Sequence, residues 1–395
     1  MFVLVATLIP NVVSAERQII EADGDYVLGD GETTSEAKRK SKEVAVRNAS
    51  MQAAVFVESV LTVNNGMVSK DEITLVTSNV LQLQKEPEYT NIADGKSFVI
   101  RCHVVALIDT DNVEKILNNR ELLRQMERDT KQIKEERDRL QKEVEYWKNL
   151  YQNATSDSER EKAAGEMKTN VEKFNATQYF ERGNRFYYAG KYSKAVDDFS
   201  KAIQLDPNYA DAYNNRGVAY YDLKKYDEAI RDYNYAIQFD PNNKQAYYNR
   251  GNAYDDLGKY DDAIRDYNYA ILLDPNNKEA YNNRGNAYFK LKRYEEAIRN
   301  YNIAIQLDPN SRNAYYNRGN AYHDLGRYDE AIQDFNKAIQ IDSNYINAYI
   351  NRGVAYAFLG KYNLALADFQ KTLELDPNNQ NAEKALEILK NQMRQ

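Results

Sequence analysis

Asparagine recurs at two fixed places around a repeated glycine. Asn215, Asn249, Asn283, Asn317 and Asn351 stand two residues before Gly217, Gly251, Gly285, Gly319 and Gly353. Asn184, Asn252, Asn286 and Asn320 stand one residue after Gly183, Gly251, Gly285 and Gly319. A side-chain amide carries donor and acceptor together, which matches one peptide unit of an extended chain without reading its side chain. Beside these columns Tyr188, Tyr221, Tyr248, Phe289, Tyr316, Ile350 and Phe358 could read side chains, and Asp211, Asp222, Asp255, Asp256, Glu279 and Asp324 supply negative charge. The expected partner is a protein or peptide with apolar and basic residues. The same columns admit a second reading, in which amides of recently duplicated units bridge adjacent helices and bind nothing.

Other chemistry is scarce. Of two histidines, His103 falls in a strand pattern and His323 on one repeat, and neither has a cysteine or second histidine at metal-ligand spacing. No nucleophile-elbow, P-loop, zinc-protease or dinucleotide-binding motif is present. Asp23-Gly24-Asp25 and Gly29-Asp30-Gly31 read as turns, since no oxygen-rich loop of calcium-binding length surrounds them. No cofactor, metal or enzymatic activity is expected. Net charge is −7, which argues against a nucleic-acid partner.

The elements that position the asparagines repeat every 34 residues, the step between successive members of Gly183, Gly217, Gly251, Gly285, Gly319 and Gly353. Tyrosine lies four before each glycine (Tyr247, for example) and an aromatic three after (Tyr254). Alanine lies twelve after (Ala263), another aromatic four beyond it (Tyr267) and, in five units, proline eight further on (Pro275). The offsets −4, 0 and +3 share a helix face, so glycine makes a notch where a second helix approaches. Arg216, Arg250, Arg284, Arg318 and Arg352 sit beside the notch and align with Asp232, Asp266, Asp334 and Asp368 in the second helices, which suggests recurring ion pairs.

These columns resemble the tetratricopeptide repeat, with Tyr and Arg where that family usually has Trp and Leu. The resemblance implies a mainly α fold: a right-handed α-solenoid of six helix-turn-helix repeats over 173–379 with a groove lined by offsets −6, −2, +1 and +5. Some members grip a C-terminal carboxylate through the Asn two before Gly together with lysines. Here offset −6 reads Thr177, Asp211, Gln245, Glu279, Asn313 and Asn347, so that clamp is not expected. Residues 380–395 are expected to form a capping helix.

The remainder divides into four parts. Residues 1–15 form an apolar run ending in Val13-Ser14-Ala15, the outline of a signal peptide, although no basic residue precedes the run. An apolar N-terminal strand is the alternative, with cytoplasmic location. Residues 16–112 read as a small α/β domain: a strand over 18–28, a helix over 36–60 capped by Thr33, Thr34 or Ser35, a second helix over 70–82, and strands over 83–92 and 97–108. In the first helix Ala37, Val44, Val46, Ala49, Ala53, Phe56, Val57 and Val60 form the expected apolar set. The stretch from Glu21 to Ser59 resembles the N-terminal domain shared by flagellar assembly protein T and a group of bacterial surface lipoproteins. That resemblance implies a βαβ-type fold in exported, cell-envelope proteins.

Residues 113–152 lack Gly and Pro and carry two heptad tracks, Ile116, Leu123, Val144 and Tyr151 on one and Met126, Ile133, Leu140 and Trp147 on the other. This predicts a coiled-coil helix and a homo-oligomer through residues 116–151, or else a solitary spacer helix. Residues 153–172 read as a linker. No stretch is long and apolar enough to span a bilayer. The function expected is a non-catalytic interaction scaffold; the alternative is a structural protein that self-assembles through the coiled coil and the repeats.

Overall fold

The computed structural model describes residues 17–27, 33–63, 81–83, 86–93, 98–109 and 120–394. The expected leader at 1–15, the turn at 29–31, the second helix over 70–82 (through residue 80), most of the hairpin turn after Ala93, and Ile116 lie outside the described residues. The chain divides into two compact units, 1–212 and 213–395.

In the first unit β1 (Arg17–Val27) pairs antiparallel with β4 (Phe98–Asp109) along its whole length. The short β2 (Gln82–Leu83) and β3 (Glu88–Ala93) both pair antiparallel with the other edge of β4. Helix α1 (Thr34–Val63) packs on the face bearing Ile20, Ala22, Ile100, Cys102, Val104 and Ala106. Cys102 is thus a small core residue. Thr33 caps α1: its Oγ1 accepts from the Glu36 N–H, while the Glu36 carboxylate accepts from the Thr33 N–H.

The packed face of α1 differs from expectation. Ala37, Ser41, Ala45, Ala49 and Ala53 are fully buried, whereas Val44 and Val46 are only half-buried. Close approach of the backbones explains the preference for small residues. A Cβ on Gly24 would lie 2.2 Å from the Ala45 nitrogen and 2.3 Å from the Ser41 oxygen. Glycine in the strand is required there by contact, not by a turn.

Helices α2 (Arg120–Asn153) and α3 (Asp157–Tyr188) fold back on each other. Only residues 154–156 connect them, so most of the segment expected as a linker is helix. A capping box explains the start: Ser156 accepts from the Glu159 N–H, and Glu159 reaches back to the Ser156 N–H. The heptad track of α2 is buried at Met126, Ile133 and Leu140, inside this chain. Of the seam expected to recruit a second chain, these three residues are covered within the first, whereas Tyr151 near its end is exposed.

The repeats follow as helix hairpins. After α3 come α4 (Tyr192–Leu205), α5 (Ala210–Asp222), α6 (Tyr226–Phe239), α7 (Lys244–Asp256), α8 (Tyr260–Leu273), α9 (Lys278–Lys290) and α10 (Tyr294–Leu307). They continue as α11 (Arg312–Asp324), α12 (Tyr328–Ile341), α13 (Ile346–Phe358), α14 (Tyr362–Leu375) and α15 (Gln380–Arg394). Each notch glycine receives an aromatic ring from its hairpin's second helix. A Cβ on Gly285 would lie 2.6 Å from Cε1 of Tyr301, and the other five notches range from 2.6 to 2.8 Å. The facing alanines and rings are buried. Burying one such ring contributes about 2–3 kcal/mol.

Between paired helices one residue adopts a left-handed conformation. It is glycine at 190, 258, 326 and 360 (φ 69 to 74°), but Lys224 (φ 62°) and Lys292 (φ 59°) fill the same place in two repeats. Asn243, Asn277 and Ser311 cap the next first helix by accepting from the N–H of Ala246, Ala280 and Ala314. The final helix, α15, buries Ala382, Leu386 and Leu389, the two leucines packing on Phe369.

Candidate functional site

A ladder of side-chain amides

In the second unit the first helix of each repeat aligns its asparagines with those of the repeat before. Nδ2 of Asn283 donates to Oδ1 of Asn252 (3.0 Å) and to the Tyr248 hydroxyl (3.1 Å). Asn317 donates to Asn286 (3.0 Å) and Asn282 (3.2 Å), and Asn351 to Asn320 (2.7 Å) and the Tyr316 hydroxyl (3.0 Å). The second repeat has Val218 where later repeats have asparagine, and Asn249 donates to Asn214 at 3.2 Å. From the second helices Tyr267 and Tyr301 donate to Oδ1 of Asn252 (2.8 Å) and Asn286 (2.9 Å). Burial holds both phenols far above their ordinary pKa, so they remain protonated donors.

These bonds use the atoms unevenly. Asn283, Asn317 and Asn351 spend both N–H groups inward, while Oδ1 of Asn252 and Asn286 accepts twice. What the ladder leaves uncommitted is Nδ2 of Asn286 and Asn320 and Oδ1 of Asn317 and Asn351, all on half-buried side chains, whereas the Asn252 amide is engaged with the Tyr248 hydroxyl. Oδ1 of Asn283 accepts from Asn282 at 3.3 Å, and Oδ1 of Asn215 accepts from Asn214 at 3.0 Å. The asparagines therefore do bridge adjacent helices, and the bridging fixes which end of several amides faces outward.

The other candidate residues separate into two groups. Tyr248 and Tyr316 belong to the ladder through the bonds above. Tyr221 and Phe289 lie nearer the hairpin turn, against the first residue of the second helix: Tyr221 on Tyr226 (5.4 Å between centroids) and Phe289 on Tyr294 (5.4 Å). The Tyr221 hydroxyl donates to Asp256 at 2.6 Å. His323 repeats this arrangement on Tyr328 at 5.3 Å, and Phe358 stacks on Tyr328 at 5.0 Å. The tyrosine that starts every second helix (192, 226, 260, 294, 328 and 362) was missed by sequence reasoning, although it recurs in all six units. Asp255 takes the aromatic's place in the third repeat. Its Oδ1 is buried without a hydrogen-bond partner, and burial, then Asp256, raises its pKa.

The arginines are structural joints. Arg250 makes two bonds of 2.7 Å to buried Asp266, and its Nη1 reaches Asn234 of the preceding repeat at 2.6 Å. Arg216–Asp232, Arg318–Asp334 and Arg352–Asp368 repeat the fork in the second unit, as Arg182–Asp198 does in the first. Arg284 departs: Asn300 replaces the aspartate and accepts a single bond of 2.7 Å. Burial without a carboxylate holds the Arg284 guanidinium below its ordinary pKa.

In the first unit the corresponding face meets α2. Tyr188 donates to Asp129 (2.5 Å), Arg137 donates to Glu181 (3.2 Å) and Gln132 donates to Asp211 (3.0 Å). Thr177, Glu181 and Tyr188 occupy offsets −6, −2 and +5 of the first repeat, and Asp211 is offset −6 of the next. A cavity of about 390 Å³ remains beside this contact, walled by Ile133, Leu140, Phe180 and Tyr209. Among the described residues no group of three or more His, Cys, Asp or Glu is placed to hold a metal ion, and no helix is long and apolar enough to cross a membrane.

Residues 183–224, 285–326 and 319–360 match the family described as TPR repeat; 210–243, 245–277, 267–299 and 346–379 match families described as tetratricopeptide repeat. No curated protein sequence matches significantly. Among solved structures, YrrB, a TPR protein with an unusual peptide-binding site, is similar at 25% identity, covering 48% of this chain and 98% of its own, with a TM-score of 0.43. MamA is similar at 33% identity over 42% of this chain and 92% of its own (TM-score 0.41). The first TPR of Spaghetti, bound to an HSP90 peptide, is 33% identical over 30% of this chain and 94% of its own (TM-score 0.29). The C-terminal half of the chain is an array of tetratricopeptide repeats, six helix hairpins in tandem.

Proposed function

We propose that the chain is a non-catalytic interaction scaffold whose amide-lined repeat face holds an extended peptide segment of a partner protein. The observation that carries this reading is the orientation of the leftover amide atoms. Inward bonds hold each amide in place before a ligand arrives, so little side-chain entropy is lost on binding. Outward N–H groups of Asn286 and Asn320 meet backbone carbonyls, and outward oxygens of Asn317 and Asn351 meet backbone N–H groups. Tyr221, Phe289 and the tyrosines beside them supply apolar contact, and Asp222, Asp256 and Asp324 favour a basic segment.

The test is affinity capture from the native host with the full chain as bait. Parent protein should retain a partner that the chain carrying Asn249→Ala, Asn283→Ala and Asn317→Ala loses. Unchanged capture by a folded triple variant would refute the reading. For location we propose the cell envelope, on the apolar N-terminal run and the resemblance of the small α/β domain. A mature protein whose N-terminal sequence starts at Glu16 would support export. Self-assembly is the second reading. It rests on the exposed Tyr146, Leu150 and Tyr151 near the end of α2, and light scattering of the full chain over a concentration series tests it.

A further inference from the structure

We infer that α2 is an internal ligand of the repeat face: it occupies the first repeat's binding positions, and a partner segment that engages those positions must displace it. The inference rests on the reading of that face as a peptide groove, and adds how access to it is controlled.

Four observations carry it. The residues of the first repeat that meet α2 stand at the groove offsets: Glu181 at −2, where the amide ladder runs in later repeats, with Thr177 at −6 and Tyr188 at +5, followed by Asp211 in the next repeat. The occupant is an amphipathic helix that buries Met126, Ile133 and Leu140 at seven-residue spacing, with Asp129 and Arg137 making the polar contacts between them. Helix-in-groove recognition uses spacing of this kind. The seat is also loose: a cavity of about 390 Å³ opens along Ile133 and Leu140, and a smaller one of about 50 Å³ lies at Asp129 and Tyr188. A helix built only as core would be expected to fill that space. The first repeat further differs from the others in the direction the tenant needs, with Glu181 at offset −2, where five later repeats have asparagine, placed to receive Arg137.

The test uses the full chain and, as probe, a fluorescent synthetic peptide with the sequence of residues 120–153. In the parent, tethered α2 competes at an effective concentration of about 1 mM. A chain carrying Ile133→Asp and Leu140→Asp cannot keep its own α2 buried, so it should bind the probe at least tenfold more tightly than the parent. The same two changes placed in the probe should abolish binding. Hydrogen exchange over α7 to α14 checks that the variant's repeats keep the parent's protection. In a second variant, Tyr188→Phe, the amides of α2 should exchange severalfold faster than in the parent while α7 to α14 do not change.

Equal probe binding by parent and double variant, or no binding by a double variant with protected repeats, overturns the inference. Should the double variant lose protection in its repeats, Tyr188→Phe decides alone, and unchanged exchange across α2 overturns it. The groove reading fails by a different result, the survival of partner capture in the asparagine variant, so the two are distinguishable.

Discussion

Asn300→Asp should stabilise the array, because it restores in the fourth repeat the fork that the others possess. Arg284 now makes one bond of 2.7 Å to Asn300 and one of 2.6 Å to Asn268. Asp266, in the neighbouring repeat, accepts two bonds of 2.7 Å from Arg250. The substitution adds a second charge-assisted bond and gives the guanidinium a counter-charge, a gain of about 1.5–3 kcal/mol. It loses the bond from Asn300 Nδ2 to the Glu296 carbonyl (2.8 Å), about 1 kcal/mol. Desolvating the new carboxylate removes part of the remainder, leaving a net gain of about 1 kcal/mol. The reverse change, Asp266→Asn, should destabilise by about 3 kcal/mol, because it leaves a buried cation short of its partner. Urea unfolding at pH 7, with hydrogen exchange across α9 and α10 to localise the effect, measures both. If Asn300→Asp is neutral or destabilising, desolvation outweighs pairing and the arginine–aspartate column is not a stabilising joint.

Three further outcomes follow from the same geometry. Gly285→Ala should destabilise by about 2 kcal/mol or more, because the added Cβ 2.6 Å from Tyr301 outweighs the helix-propensity gain of about 1 kcal/mol; thermal unfolding measures it. Lys292→Gly should stabilise by about 0.5–1 kcal/mol despite removing a side chain, since residue 292 is left-handed with φ 59°; Lys224→Gly should behave alike. Asp255→Asn should stabilise the array at neutral pH. Burial raises the folded-state pKa of Asp255 above its ordinary 3.8, so ionisation opposes folding, and the advantage over parent should shrink as pH falls through the raised pKa and disappear below about 3.8. Paired denaturation curves across that range give the sign.

How much of this was legible in the sequence depended on whether a residue's partner shares its periodicity. The glycine column, the facing alanine and the arginine–aspartate alignment all recur at 34 residues, so their contacts could be inferred by laying one unit on the next. The outward direction of the amides could not, because it depends on bonds between repeats and on hydroxyls of Tyr267 and Tyr301 arriving from the second helices. The heptad track of α2 showed that Met126, Ile133 and Leu140 must be covered, but a seam does not name what covers it. Ser156 and Glu159 did carry a capping-box signal that the segment after 156 is helix, masked by its polarity. On α1 the contact face is small residues including Ser41, chosen by backbone approach at Gly24, whereas hydrophobicity drew attention to Val44 and Val46.

The central claim is that the outward amide atoms bind and the inward ones support. The double change Asn286→Asp and Asn320→Asp separates the two roles, since a carboxylate oxygen still accepts from Tyr301 and from the next repeat's asparagine while the outward N–H donor is removed. The measurement is partner capture by this variant beside its unfolding midpoint. The account predicts that capture is lost while stability shifts by no more than about 1 kcal/mol, even though the added negative charge would favour a basic partner. Retained capture would contradict it and leave the asparagine ladder a feature of packing alone.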